Sequence, residues 1–141
     1  MGCDKNTNAE QQRMETTKKI ISTPNAPAAI GPYSQAVLSG NTLYCSGQIA
    51  INPETGILVT DDITNETQQV LKNIGAVLKE AGMDYTHVVK ATIFLATMDD
   101  YASVNEVYAT YFKDLPPARE AVAVKMLPKN VNVEISVIAV K

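Results

Sequence analysis

Apolar positions along this chain switch between a two-residue and a three-to-four-residue period, with glycine and proline at most of the switches. Lys18–Ser22 reads as a short strand. Thr23–Tyr33 follows with three prolines and one glycine, so it reads as an ordered extended loop. Ala36–Ser39 and Thr42–Cys45 flank Gly40-Asn41 and predict a hairpin. Gly47 interrupts the second of these strands, where a glycine marks a bulge or a close backbone approach. Asn52-Pro53-Glu54-Thr55-Gly56 is a second turn. From Asp62 to Ala81 the apolar residues recur at three- and four-residue steps, which predicts a helix. Asp61 or Asp62 caps it, and Gly82 ends it. Val88–Leu95 is a β-branched strand. A second helix runs from Thr97, its N-cap, to about Lys113, with an inner stripe of Tyr101, Val104, Tyr108 and Tyr111. Pro116 and Pro117 stop it. The rest, Pro116 to Ala139, reads as two strands around a short turn at Pro128–Asn130.

Strands divided by two helices predict an α+β or α/β chain with the helices on one face of a mixed sheet. The 141 residues point to one domain at 18–141 behind a flexible polar tail at 1–17. Such a chain buries roughly 68–70% of its unfolded surface, enough for a core without staples. The 12 Lys and Arg against 15 Asp and Glu leave a net charge of −3. Phosphate-backbone binding needs clustered cations, so no nucleic-acid partner is expected. Cys3 and Cys45 make no disulfide framework, and one histidine with no Cys-x-x-Cys makes no metal site. Both cysteines read as free thiols in a reducing, cytoplasmic setting. Met1-Gly2-Cys3-Asp4 admits one other reading, a lipoprotein anchored at Cys3 whose signal has been removed. Otherwise no membrane association is expected. The myristoylation pattern fails at Asn6.

Two residues stand out in the terminal strands. Arg119 shares its face with Ala121 and Ala123, whose small side chains leave a hollow beside the guanidinium. It is either a surface arginine or a bidentate holder of a carboxylate ligand. Glu134 sits among Val131, Val133 and Ile135. It is either a solvent-facing strand residue or an enclosed proton acceptor for water, with a raised pKa. A tight hairpin at Pro128–Asn130 would pair Arg119 near Ile138. The four-residue offset from Glu134 is ~13 Å and rules out an ion pair. The two would then flank a space for a small ligand and water, or meet across a subunit contact. Asn105 lies on the tyrosine side of its helix, as a core amide or part of a site. His87 reads as an ordinary loop residue. Ser46 lacks the surroundings of a serine nucleophile.

Taken together, Ile30-Gly31-Pro32-Tyr33, Ser46-Gly47-Gln48, Val104-Asn105, Pro117-Ala118-Arg119, Leu127-Pro128 and Val133-Glu134-Ile135 resemble the RidA family, also called YjgF/YER057c/UK114. The resemblance covers roughly residues 18–141. It implies a chorismate-mutase-like α+β fold, a mixed sheet with two helices packed on one face. It implies a homotrimer with sites at the subunit clefts. It also implies a cofactor-independent deaminase that hydrolyses 2-iminoacids such as 2-aminoacrylate and 2-iminobutanoate to 2-ketoacids and ammonia. On this resemblance Arg119 holds the substrate carboxylate and Glu134 orients or deprotonates water. Tyr33 helps place that water from a neighbouring chain. Ser46, Gly47, Asn105 and the backbone of Ala121 shape the pocket. Glu120 and Ala121 depart from the pattern of many relatives, and alternation turns Glu120 away from Arg119. Two other functions compete with deamination. One is a regulatory module that binds a small carboxylate without turnover, and the other is a ribonuclease or translation inhibitor.

Overall fold

The computed structural model describes residues 17–141. The tail at 1–16 and the lipid-anchor reading of Cys3 lie outside the described residues. Six strands form one sheet: β1 (Lys18–Ile21), β2 (Ala36–Ser39), β3 (Thr42–Cys45), β4 (Val88–Leu95), β5 (Ala118–Ala123) and β6 (Val133–Val140). Their order across the sheet is β1-β2-β3-β6-β4-β5. β4 and β5 are parallel and every other pair is antiparallel. Two helices, α1 (Ile63–Glu80) and α2 (Tyr101–Tyr111), cover one face. This is the mixed-sheet α+β architecture expected from the element order.

The helix-side face is set by alternation. Residues 133, 135, 137 and 139 of β6 are buried, with the residues between them partly exposed. Ala91, Ile93 and Leu95 of β4 and Leu43 of β3 extend the same apolar surface. Against it α1 lays Val70, Leu71, Ile74, Val77 and Leu78, all fully buried. Each such side chain contributes about 1.5–3 kcal/mol by leaving water. The ends of α1 are closed as its sequence predicts. The Asp62 side chain accepts from the Asn65 N–H at 2.7 Å. Gly82, at φ +71°, lets its own N–H reach Lys79 O at 2.9 Å and that of Met83 reach Leu78 O at 2.9 Å.

The second helix differs in detail from its predicted span. Thr97 caps a short 3₁₀ turn, Met98–Asp100, and α2 itself begins at Tyr101. The larger difference is in the terminal strands, which are not a hairpin. β5 pairs with β4 through a β4–α2–β5 crossover, and β6 pairs on the other side of β4. The segment between them turns at Pro128–Asn130, where Lys129 and Asn130 both take left-handed φ, 56° and 55°. Among the described residues, no helix lies over the far face of the sheet. Ile20, Val37, Tyr44 and Ile138 form one apolar row across four strands there.

Glu66 fixes the start of β6. It is fully buried in α1, and its carboxylate accepts from the Asn132 N–H at 2.7 Å and from Asn132 Nδ2 at 2.8 Å. The Asn132 carbonyl in turn accepts from Ala96 N at 3.0 Å. One acidic side chain thereby ties α1 and the end of β4 to a residue two positions before Glu134. Glu66→Ala leaves two donors without partners and is expected to lower stability by about 2–4 kcal/mol in urea unfolding, with an unchanged m-value. A loss below about 0.5 kcal/mol would contradict this role.

Candidate active site

A cavity of about 580 Å³ opens on the side of Glu134, lined among others by Ile30, Tyr33, Ser46, Gly47, Gln48, Ile51, Lys129 and Glu134. Its wall is the proline-rich loop, which is held by one buried amide. The Gln35 Nε2 group donates to the carbonyls of Thr23, Ala26 and Pro27, and its Oε1 accepts from Thr23 N. Ser46 pins the loop from below. Its hydroxyl donates to Ser34 O at 2.6 Å, and its N–H donates to Gln35 O at 2.9 Å. Tyr33, the next residue along, stands 54% exposed at the rim.

Glu134 comes to the cavity from β6. β3 stops at Cys45, and Gln48 rejoins the sheet by exchanging two backbone hydrogen bonds with Ile135, at 2.8 and 3.1 Å. Gly47 lies between. A Cβ there would fall within the Glu134 carboxylate, so the missing side chain is what lets the acid pack against this backbone. Burial raises the pKa of Glu134 above the ordinary 4.5.

Arg119 lies elsewhere in the chain. It pairs across β5 with Ala91, whose side chain faces the helices. Glu134 pairs with Phe94, three positions along β4 and so on the opposite face. Within one chain the two Cα atoms are separated by β4 and by on the order of 14 Å. On its own face Arg119 Nη1 donates to Asn105 Oδ1 at 2.7 Å, and Nη2 donates to the Tyr101 hydroxyl at 2.8 Å. The guanidinium carbon sits 4.8 Å from the centroid of the Tyr108 ring. Ala121 follows on the same face, opposite Ile93. Glu120 turns away, as alternation predicts, and is bound by Lys90 and by Thr92 Oγ1.

The predicted site residues thus form two groups. Tyr33, Ser46, Gly47 and Glu134 share a cavity in one chain. Arg119, Asn105 and Ala121 lie together on the other face. Tyr33 therefore accompanies Glu134 in the same chain and stands apart from Arg119. Tyr101 and Gln35 were not singled out from the sequence as site residues. Tyr101 had a signal, because it lies one helical turn before Asn105. Gln35 had none, because its partners are backbone carbonyls.

The family model described as endoribonuclease L-PSP matches residues 23–141. A mouse protein, 2-iminobutanoate/2-iminopropanoate deaminase, is 52% identical over 124 residues, which are 88% of this chain and 92% of the mouse protein. The chain belongs to the RidA family. A solved Rid-family protein from Yersinia pestis is 53% identical, with a TM-score of 0.87 over 89% of this chain and 100% of that one. The RidA relative TdcF of E. coli, solved with bound serine, is 40% identical with a TM-score of 0.84 over 87% of this chain and 98% of that one.

The close approach at Gly47 gives a test that separates site from fold. In Gly47→Ala the flexible Glu134 side chain can swing aside, so the fold is kept while the carboxylate is displaced. The expected result is a midpoint of thermal unfolding within a few degrees of the parent and a kcat/KM lower by about 10²-fold. Unchanged kcat/KM would contradict the importance of this packing.

Proposed function

We propose that this protein hydrolyses reactive 2-iminoacids to 2-ketoacids and ammonia, working as a homotrimer whose sites lie between subunits. Support comes from the mouse relative, named as a 2-iminobutanoate/2-iminopropanoate deaminase at 52% identity. The observation that carries the assembly is the placement of Arg119 and Glu134 on opposite faces of one sheet. In a single chain, an arginine suited to holding a carboxylate and a half-buried acid lie on opposite faces and cannot reach one ligand. Two copies can bring them together. The uncovered row of Ile20, Val37, Tyr44 and Ile138 supplies an apolar surface for that contact.

On this reading the guanidinium of one chain holds the substrate carboxylate through two parallel hydrogen bonds. The serine bound to TdcF carries the same carboxylate beside an amine-bearing carbon. Glu134 of the next chain takes a proton from water as its oxygen bonds to the imine carbon. The C=N electron pair moves to nitrogen, which takes that proton back from Glu134 and gives a neutral carbinolamine. Glu134 then carries the hydroxyl proton to nitrogen, and the C–N bond breaks to release ammonia as C=O closes. Tyr33 orients the water from the rim, and Ser46, Gly47, Asn105 and Ala121 shape the walls. The imine carbon is already electrophilic, so positioning and activation of water suffice without a cofactor.

The test is a coupled assay in which a PLP-dependent threonine dehydratase supplies 2-iminobutanoate and release of 2-ketobutyrate is followed. Release faster than the spontaneous rate is expected. Arg119→Ala should lower kcat/KM by about 10²–10³-fold, the worth of two charge-assisted hydrogen bonds. Glu134 must be ionised to accept a proton, so activity should fall with decreasing pH through a midpoint above 4.5. Release at the spontaneous rate, with wild type and Arg119→Ala alike, would overturn the reading. Binding of a carboxylate without release would favour a regulatory module. RNA cleavage lost in Arg119→Ala would favour the ribonuclease described for the family.

A further inference from the structure

Arg119 has five N–H donors, and the fold engages two of them without a ligand. Nη1 is held by Asn105 and Nη2 by the hydroxyl of Tyr101. Tyr101, Asn105 and Tyr108 stand at i, i+4 and i+7 of α2, so they form a single stripe facing β5. The Tyr108 ring lies 4.8 Å from the guanidinium carbon and that of Tyr101 5.7 Å from it. Tyr108 is buried, and its own hydroxyl finds no partner among the described residues. Its contribution is therefore the ring, which supports the guanidinium by contact. Among the described residues, the two hydrogen bonds are what oppose rotation of the guanidinium within its own plane. Asn105 alone is a single tether about which the group can turn. Tyr101 is the second.

We infer that Tyr101 is a positioning residue for carboxylate capture: through Nη2 it fixes the direction, within the guanidinium plane, in which Arg119 offers its other N–H groups. This rests on the carboxylate-binding role given to Arg119 above. Its ligand class is the carboxylate of a 2-imino or 2-ketoacid. The effect falls on binding, because the group that Tyr101 orients holds the non-reacting end of the substrate.

Tyr101→Phe removes the hydroxyl and keeps the ring, so packing at the start of α2 is preserved. Three proteins are compared: wild type, Tyr101→Phe and Arg119→Ala. Calorimetry measures 2-ketobutyrate binding, the coupled assay gives kcat and KM, and thermal unfolding checks the fold. Tyr101→Phe is expected to raise both Kd and KM by roughly three- to tenfold, the cost of ordering one long side chain on binding. Its kcat should change less than twofold. Unchanged Kd and KM in Tyr101→Phe, with binding abolished in Arg119→Ala, would overturn the inference and leave the deaminase reading standing. A fall in kcat at constant KM would overturn it as well. Wild type that binds 2-ketobutyrate but hydrolyses no imine would remove the deaminase reading, and the Kd of Tyr101→Phe would still decide the role of Tyr101. Wild-type binding in Arg119→Ala would remove both.

Discussion

The position of β4 between β5 and β6 governs the chemistry of this chain. Side chains alternate across a strand with a period of two, and paired residues on neighbouring strands share a face. Arg119 is registered on Ala91 and Glu134 on Phe94, an odd number of positions apart. No rotamer of either side chain changes that parity. The cation goes to the helix side and the acid to the open side. On the proposed reading a complete site therefore needs two copies of the chain. On that same reading the apolar row on the far face serves catalysis as well as assembly.

Each of the two groups is ordered within a single chain. On the acid side, the Gln35 side chain holds three carbonyls of the proline-rich loop and Ser46 ties that loop to the end of β3. Gly47 lets the carboxylate lie against backbone, and Glu66 holds the residue from which β6 departs. On the arginine side, three residues of one helical stripe surround the guanidinium. Ordering these groups during folding lowers what binding must supply later. The two halves use different means. The acid is placed by backbone pairing and a missing Cβ, the cation by side-chain contacts from a helix.

Much of this was legible in the sequence wherever the signal is local. Asp62 and Gly82 bound α1 because caps act within a turn of the helix. Gly40-Asn41 joins β2 to β3 because a two-residue turn sets its own register. The reading failed where pairing is not local. Pro128–Asn130 has turn chemistry, but its left-handed residues redirect the chain past β4 and do not fold β6 back on β5. The order strand, helix, strand from β4 through α2 to β5 carries the opposite signal, a parallel crossover. Local turn chemistry at Pro128–Asn130 points to a hairpin, and the order of elements outweighs it. A hairpin pairing of β5 with β6 would also hide the split of the site into two groups. Arg119 and Glu134 are too far apart for an ion pair with either pairing, but their opposite faces show only once β4 is placed between them.

The central claim is that Arg119 and Glu134 act on one substrate from two different chains. Differently tagged Arg119→Ala and Glu134→Gln chains, each inactive alone, can be co-expressed and the doubly tagged oligomers isolated. In a cyclic trimer every mixed ring holds one junction of three at which an intact arginine meets an intact glutamate. The account predicts that the mixed oligomers recover about one-third of wild-type deaminase activity. Mixed oligomers as inactive as their parents would contradict it.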